Sequence, residues 1–299
     1  VMKVLAMYNP KPKILSRLLF KTVGRMVRLW QRLNRFKLHD WDRLHTILDE
    51  RMAQIDINEA LVASGKQPIL LRPLITVANH TANLDDPLMW GGLPTYISKD
   101  PRYMRWTLAA SNVCFTNLLY SYFFTLGKCI NTFRGNGIYQ DAVDFSIDRL
   151  SEGQWIHIFP ESKVNQKEEL LYFKWGIGRL VAESKLPPII LPIYHRGFEK
   201  TMPLDHLAIP RINKDVDIFV GEPFDCDDLH RQFQEDKDID TNNKDTVHSK
   251  ENDLRKKMYY KSITTRIETE FKQLQQESLV VLNARGVDLG VGGGKTSTV

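Results

Sequence analysis

Leu74-Ile75-Thr76-Val77-Ala78-Asn79-His80-Thr81-Ala82-Asn83-Leu84-Asp85-Asp86-Pro87 is the stretch of this 299-residue chain that decides its fold. Its first five residues are apolar or β-branched, which predicts a buried strand. Asp86 followed by Pro87 predicts the N-cap and the first position of a helix. His80 and Asp85 therefore lie in the turn between a strand and a helix. Their side chains could not meet on one continuous helix, but a bent loop can bring them together.

This turn has the residue types of an acid-base pair. If Asp86 caps the backbone N–H groups of the helix, Asp85 is free to accept a hydrogen bond from one ring nitrogen of His80. The other ring nitrogen is then a base near neutral pH. The alternative is a polar loop that only turns the chain and caps the helix, and this stretch alone leaves both interpretations open.

Strand and helix patterns alternate along the rest of the chain. Strands are expected at 74–79, 96–98, 127–134, 155–159, 188–194 and 216–220, and helices at 41–63, 87–92, 138–150, 174–184 and around 263–274. Such alternation predicts an α/β fold with a mostly parallel central sheet flanked by helices. Ligands of such sheets bind beyond the carboxyl ends of the strands, where His80, Arg134 and Glu161 all fall.

The amino-terminal segment is strongly basic, in a chain with net charge +5 and pI near 8.9. All ten charged residues from Val1 to His39 are positive. Between Ile14 and Trp30 the cations alternate with apolar residues at helical spacing. This pattern favours an interfacial amphipathic helix on an anionic bilayer over a surface helix packed on the core, and over nucleic-acid binding.

Three further features complete the domain organisation. We expect a membrane-contacting segment at 1–40, one domain at 41–285 with a charged mobile insert at about 235–257, and a disordered glycine-rich tail at 286–299. The uncharged stretch from Trp106 to Gly127 predicts either a re-entrant membrane helix or a helix buried in the core. Cys114, Cys129 and Cys226 fit no metal-ligand spacing, so no metal site is expected.

Four short motifs carry a resemblance to a known family. Asn79-His80 with Asp85, Gly127 with Phe133-Arg134, Phe159-Pro160-Glu161, and Leu191-Pro192-Ile193 have the order and spacing of the four motifs of glycerolipid acyltransferases. The stretches from Trp155 to Asn165 and from Phe173 to Leu180 resemble the mitochondrial phospholipid–lysophospholipid transacylases of that family. The resemblance runs from about Leu74 to Phe224.

The resemblance implies a role for each motif residue. His80 would be the general base and Asp85 would orient it. Arg134, Lys163, Glu161 and Asn79 would bind the substrate, the two cations through phosphate and Glu161 through the glycerol or phosphate region of the acceptor. Ser162 stands where the family usually has glycine. Val164 stands where acyl-CoA-using members often have arginine, which favours a phospholipid as the acyl donor.

The expected function is therefore CoA-independent acyl transfer between phospholipids and lysophospholipids, with cardiolipin remodelling as its setting. We expect no cofactor, no metal and no nucleic acid. The expected partner is an anionic, cardiolipin-containing mitochondrial bilayer, reached from the intermembrane space, and homo-oligomerisation stays open. Two alternatives remain: an acyl-CoA-dependent lysophospholipid acyltransferase, and a non-enzymatic lipid-binding protein that shapes membranes.

Overall fold

The structure, a computed structural model, describes residues 14–167, 169–204, 209–242 and 249–287. Its centre is a sheet of seven strands, in the order β1-β7-β6-β2-β5-β3-β4. The strands are β1 Arg35–His39, β2 Leu74–Ala78, β3 Trp106–Ala110, β4 Cys129–Thr132, β5 Trp155–Ile158, β6 Ile189–Arg196 and β7 Asp215–Val220. All neighbours are parallel except β6 and β7. The predicted α/β class with a mostly parallel sheet is confirmed.

Helices cover both faces of this sheet. They are α1 Ile14–Arg32, α2 Trp41–Ala63, α3 Asp85–Met89, α4 Thr95–Ser98, α5 Ser111–Cys114, α6 Leu118–Leu126, α7 Asp141–Ser151, α8 Gly176–Glu183, α9 Phe198–Thr201, α10 Asp227–Asn242 and α11 Ser249–Ala284, with a 3₁₀ turn at Trp90–Gly92. The predicted helices at 41–63, 138–150 and 174–184 are thus confirmed with small shifts at their ends.

Strand β2 lies in the middle of the sheet and is buried on both faces. Ile75 and Val77 pack into the core layer beneath α7, α8 and α11. Leu74 and Ala78 pack into the opposite layer, with residues of α1, α2 and α3. A central parallel strand has no solvated face, and this explains why its sequence is continuously apolar rather than alternating. The central position of β2 also fixes the position of the loop that begins at Asn79.

Several local predictions were wrong. The segment 96–98 is helical in α4, whereas a strand was predicted. The uncharged stretch 106–127 does not form one helix, because its first five residues are strand β3 and the rest forms α5 and α6. Strand β1 was not predicted at all. Within the described residues, no helix is long and apolar enough to span a bilayer.

The predicted insert at 235–257 lies largely in helices, since α10 ends at Asn242 and α11 begins at Ser249. Residues 243–248 between them lie outside the described residues. So do residues 1–13 of the basic segment and residues 288–299 of the predicted tail.

Candidate active site

The polar residues of the first and third motifs meet at one edge of the sheet. Strands β2 and β5 are parallel neighbours, so their carboxyl ends lie side by side. Asn79 and His80 follow β2, and Glu161 follows β5. The expected grouping of His80 with Glu161 is therefore correct.

His80 and Asp85 form the predicted contact. Nδ1 of His80 lies 3.0 Å from Oδ2 of Asp85. The same carboxylate oxygen accepts hydrogen bonds from the backbone N–H groups of Thr81 at 2.6 Å and Ala82 at 2.9 Å. The Asp85 side chain is 0% exposed and the His80 side chain 15% exposed.

This geometry determines the tautomer of His80. An ionised carboxylate can only accept hydrogen bonds, so the proton of the imidazole lies on Nδ1. Nε2 then carries the free lone pair that a general base needs. The His80 ring also stacks on Phe159, with ring centroids 4.2 Å apart. The ring is thus held in one orientation by a hydrogen bond and by an aromatic face.

Asp86 does not cap the helix, so that prediction was wrong. The helix already begins at Asp85, and Asp86 accepts from Nε1 of Trp90 at 3.1 Å and from the Arg105 guanidinium, whose Nε lies 3.0 Å away. Burial, the largest single cause, would raise the pKa of the Asp86 carboxyl. The charges of Arg105 and His157 and the hydrogen bonds from Arg105 and Trp90 together outweigh burial and hold that pKa below its usual value. Asp85 binds the loop N–H groups instead, while also holding His80.

Glu161 fixes the backbone of the His80 loop. One of its oxygens accepts from the His80 N–H at 2.9 Å, and the other accepts from Asn165 Nδ2 at 3.2 Å and from the Leu171 N–H at 2.9 Å. The Asn165 N–H in turn donates to the His80 carbonyl at 2.7 Å. Both backbone polar groups of His80 are therefore bonded, and the buried Glu161 carboxylate is used within the protein.

Asn79 joins β2 to the neighbouring strand β6. Its side-chain amide donates to the His195 carbonyl and accepts from the His195 N–H, each at 2.9 Å. Nε2 of His195 donates to the Asn79 carbonyl at 2.7 Å and lies 3.7 Å from Oδ2 of Asp85. Sequence reasoning missed this contact. The one available signal was that His195 directly follows one predicted strand and Asn79 ends another.

Arg134 and Lys163 do not join this cluster. Both are exposed. Strand β4, which Arg134 follows, is the third strand from β2, about 14 Å away at ~4.8 Å per strand. A cavity of about 330 Å³ opens instead on the β6 side, and its lining includes Asn79, Thr81, Glu161 and Asn165 together with Lys167 and Lys200.

Chemically, the arrangement is a histidine base supported by a buried carboxylate at the carboxyl edge of an α/β sheet. Such a pair can remove the proton of a hydroxyl or amine that attacks an acyl group. A family model described as Acyltransferase matches residues 39–196, more than half of the chain. The fold, the site and this match define an acyltransferase.

Comparison with known proteins narrows the class. A Dictyostelium discoideum protein named taffazin is 45% identical over 89% of this chain and 88% of its own length. Drosophila melanogaster tafazzin is 46% identical over 52% of this chain and 42% of its own. An Arabidopsis thaliana N-acylphosphatidylethanolamine synthase is 47% identical over 52% of this chain and 57% of its own. The chain belongs to the tafazzin family of acyltransferases.

Proposed function

We propose that this enzyme transfers an acyl chain directly from a phospholipid to a lysophospholipid, without CoA, in the remodelling of cardiolipin. The observation that supports it most is the open Nε2 of His80, whose partner nitrogen is bound to a buried Asp85. The setting is the cardiolipin-containing mitochondrial bilayer, approached from the intermembrane space.

The proposed reaction needs one proton to move twice. Nε2 of His80 takes the proton of the lysophospholipid hydroxyl as that oxygen bonds to the ester carbonyl carbon of the donor. When the tetrahedral intermediate collapses, the bond to the donor's glycerol oxygen breaks and that oxygen receives the proton from the imidazolium. Asp85 stabilises the imidazolium between these two steps. The products are a new phospholipid and a new lysophospholipid, so no water and no thioester is consumed.

We assign headgroup binding to the exposed cations at this edge of the sheet. Arg134 follows β4 and Lys163 lies two residues beyond Glu161, and both side chains are free to meet a phosphate at the surface. A guanidinium binds two phosphate oxygens at once, whereas an ammonium acts as a point charge. Glu161 and Asn79 act on the substrate through the loop that they hold, since their own polar atoms bond to protein groups.

An exposed apolar surface on α1 and α6 supports the bilayer as partner. At 100° per residue, Leu15, Leu18, Met26 and Leu29 of α1 fall within about 80° of its circumference, on the side facing away from the core. Leu118 and Leu119 of α6 are 83% and 74% exposed. Ser16 of α1 donates to the Leu126 carbonyl at 2.7 Å and holds the two helices together.

The cations of α1 lie next to its apolar stripe. Arg17, Lys21, Arg25, Arg28 and Arg32 occupy about the next 80° of the circumference. An exposed apolar stripe bordered by cations is typical of a helix that lies in the interface of an anionic membrane. A helix of this kind would hold the enzyme at the bilayer, where its lipid substrates remain.

The test is to incubate the purified protein with vesicles of phosphatidylcholine and monolysocardiolipin in the absence of CoA, followed by lipid mass spectrometry. Tetra-acyl cardiolipin and lysophosphatidylcholine are expected in equal amounts. Product that forms only after acyl-CoA is added would contradict the proposal and indicate a CoA-dependent acyltransferase.

A second acceptor, the amine of phosphatidylethanolamine, is favoured by the Arabidopsis relative, which is named as an N-acylphosphatidylethanolamine synthase. The same Nε2 could take a proton from an amine. Adding phosphatidylethanolamine to the vesicles tests this, since only an amine acceptor yields an N-acylated lipid.

A further inference from the structure

A second cavity lies at the end of the sheet opposite His80. Its volume is about 940 Å³, and residues at or just before the starts of β2, β3 and β5 line it, among them Leu71, Met104, Gly153 and Trp155. His80 follows the other end of β2, and that five-residue strand alone spans about 16 Å at ~3.3 Å per residue. This basal cavity is therefore separate from the candidate active site.

The walls of the basal cavity are largely apolar. Leu48, Met52 and Ile55 of α2 form one side, and Tyr122 and Leu126 of α6 with Trp106 form another. Val62, Ile69 and Leu70 line it as well and are exposed, so its mouth is apolar too. Its volume is near the upper end of the ~300–1,000 Å³ of small-molecule sites.

Two buried cations lie in this apolar wall. Arg51 is 7% and Lys128 9% exposed. Arg51 donates to the carbonyls of Arg72 at 2.5 Å and Gly153 at 2.7 Å. Lys128 donates to the carbonyls of Pro101 at 2.9 Å and Met104 at 2.5 Å, and its ammonium lies 4.8 Å from the centre of the Trp106 ring. All four acceptors are neutral.

The nearby carboxylates are already paired with other cations. Glu59 and Glu152 line the cavity, but Glu59 binds Arg102 at 2.6 Å and Glu152 binds Arg149 at 2.6 Å. Asp100, which lies close enough to affect Lys128, also binds Arg102, at 2.9 Å. Within residues 14–167, 169–204, 209–242 and 249–287, neither Arg51 nor Lys128 forms an ion pair.

Unpaired buried charge is costly, because the cation loses its hydration without gaining an anion. Burial lowers the pKa of Arg51 to about 10. Burial, reinforced by the charges of Arg105 and Arg149, lowers the pKa of Lys128 to about 7. A bound anion would offset this cost at both residues. The apolar walls around the two cations would bury a hydrocarbon chain at the same time.

We propose that the basal cavity binds a single-chain anionic amphiphile, with its acyl chain along α2 and its carboxylate or phosphate against Arg51 and Lys128. A free fatty acid and a lysophosphatidate share this chemistry. The site does not depend on the proposed transfer reaction, because none of its residues forms a hydrogen bond, ion pair or ring contact with His80 or Asp85 in the described structure.

The experiment is a competition assay in which a fluorescent fatty acid is displaced from the full chain by dodecanoate, dodecyl phosphate or dodecanol, all below their micelle concentrations. Both anions should displace the probe at least about tenfold more strongly than the neutral alcohol. Tighter binding of dodecanoate would indicate a free fatty acid as the ligand, and tighter binding of dodecyl phosphate would indicate a lysophosphatidate. Equal displacement by dodecanol and both anions would overturn the proposal.

Variants locate the binding. Arg51→Met should reduce the preference for the anions to less than about threefold. The matched control Lys66→Met removes a cation at the exposed surface near the mouth and should leave the preference unchanged. His80→Ala should also leave it unchanged, and a loss there would assign the probe to the active site and refute the basal site.

If the Arg51→Met variant does not fold, a second measurement on the unmodified protein tests the same proposal. A dodecanoate carrying a quenching label should quench the fluorescence of the unmodified protein, and Trp106→Phe should remove part of that quenching. Quenching that does not change in Trp106→Phe would contradict binding in this cavity.

Discussion

Replacing Asp85 by asparagine separates the charge of this residue from its geometry. Oδ2 of Asp85 accepts three hydrogen bonds, and an amide oxygen in the same place could accept all three. Asp85→Ala, in contrast, would leave three donors unpaired, the buried N–H of Ala82 and two partly buried ones, at up to about 1–3 kcal/mol each. Asp85→Asn therefore tests the chemistry with less disturbance of the loop.

The size of the effect follows from the distance between the charges. With Nδ1 3.0 Å from Oδ2, the centres of the imidazolium and carboxylate charges are about 4 Å apart and attract by about 4 kcal/mol at an effective dielectric constant of ~20. Loss of that attraction from the charged intermediate should slow acyl transfer by about 10³-fold. The assay is CoA-free transfer of a labelled chain to monolysocardiolipin.

Asp86→Asn is the matched control, since it removes the same charge one position along the chain. Asp86 binds Arg105 and not His80, so this variant should lose stability but keep the turnover of its folded fraction. Thermal melts of all three proteins correct the rates for the amount folded. An Asp85→Asn enzyme with more than about a tenth of the original rate would refute the role of the charge.

Four other perturbations have defined outcomes. Ser162 has φ of 61°, so Ser162→Gly should relieve strain and raise the free energy of unfolding by about 1 kcal/mol in urea melts; no increase would contradict this. Burial lowers the pKa of His157 from 6.5 to about 3. Between pH 6.5 and pH 3 this histidine is therefore protonated in the unfolded chain but neutral in the folded protein. The free energy of unfolding should fall as the pH falls through this range, by up to about 1.4 kcal/mol per pH unit. His157→Leu should flatten that slope, and an unchanged slope would exclude His157 as its cause. Changing Leu18 and Met26 together to glutamate should weaken binding to anionic vesicles about 100-fold, as measured by flotation, while transfer in detergent micelles persists; undiminished flotation would remove α1 from the membrane surface. Arg134→Met should raise KM for the lipid substrates and reduce its dependence on salt, with kcat unchanged; a lower kcat with constant KM would argue against phosphate binding.

The contact between His80 and Asp85 could be predicted because both lie in one short turn whose ends are marked by local signals. The reason given for it was wrong in part. Asp86 was expected to cap the helix, but it pairs with Arg105, 19 residues further along the chain. Which partner a buried carboxylate finds depends on how distant segments pack, and local patterns do not contain that information.

The same limit explains the errors in the fold. Strand β1 is short and carries two cations, and it pairs with β7 about 180 residues later, from Arg35 opposite Asp215 to His39 opposite Phe219. Nothing within β1 itself indicates that partner. The uncharged stretch 106–127 contains two different elements. Strand β3 lies inside the sheet, and helix α6 exposes apolar residues at the surface. A lack of charge is shared by buried strands and membrane helices, so composition alone could not separate them.

Asn79 and Glu161 make hydrogen bonds that the motifs did not indicate. Both were expected to bind the substrate, and in the structure both bond to the backbone around His80 and His195. A motif records that a residue type is needed at a position, and hydrogen bonds that fix the loop are one reason for that need. Direct contact of these two residues with the substrate stays a prediction.

The most direct test of the account compares the protein with its His80→Ala variant in CoA-free vesicles of phosphatidylcholine and monolysocardiolipin. Acyl transfer is followed by mass spectrometry, and vesicle binding by flotation of the same samples. The account predicts that the variant binds vesicles as before and forms no tetra-acyl cardiolipin. Transfer by the variant at the original rate would contradict it.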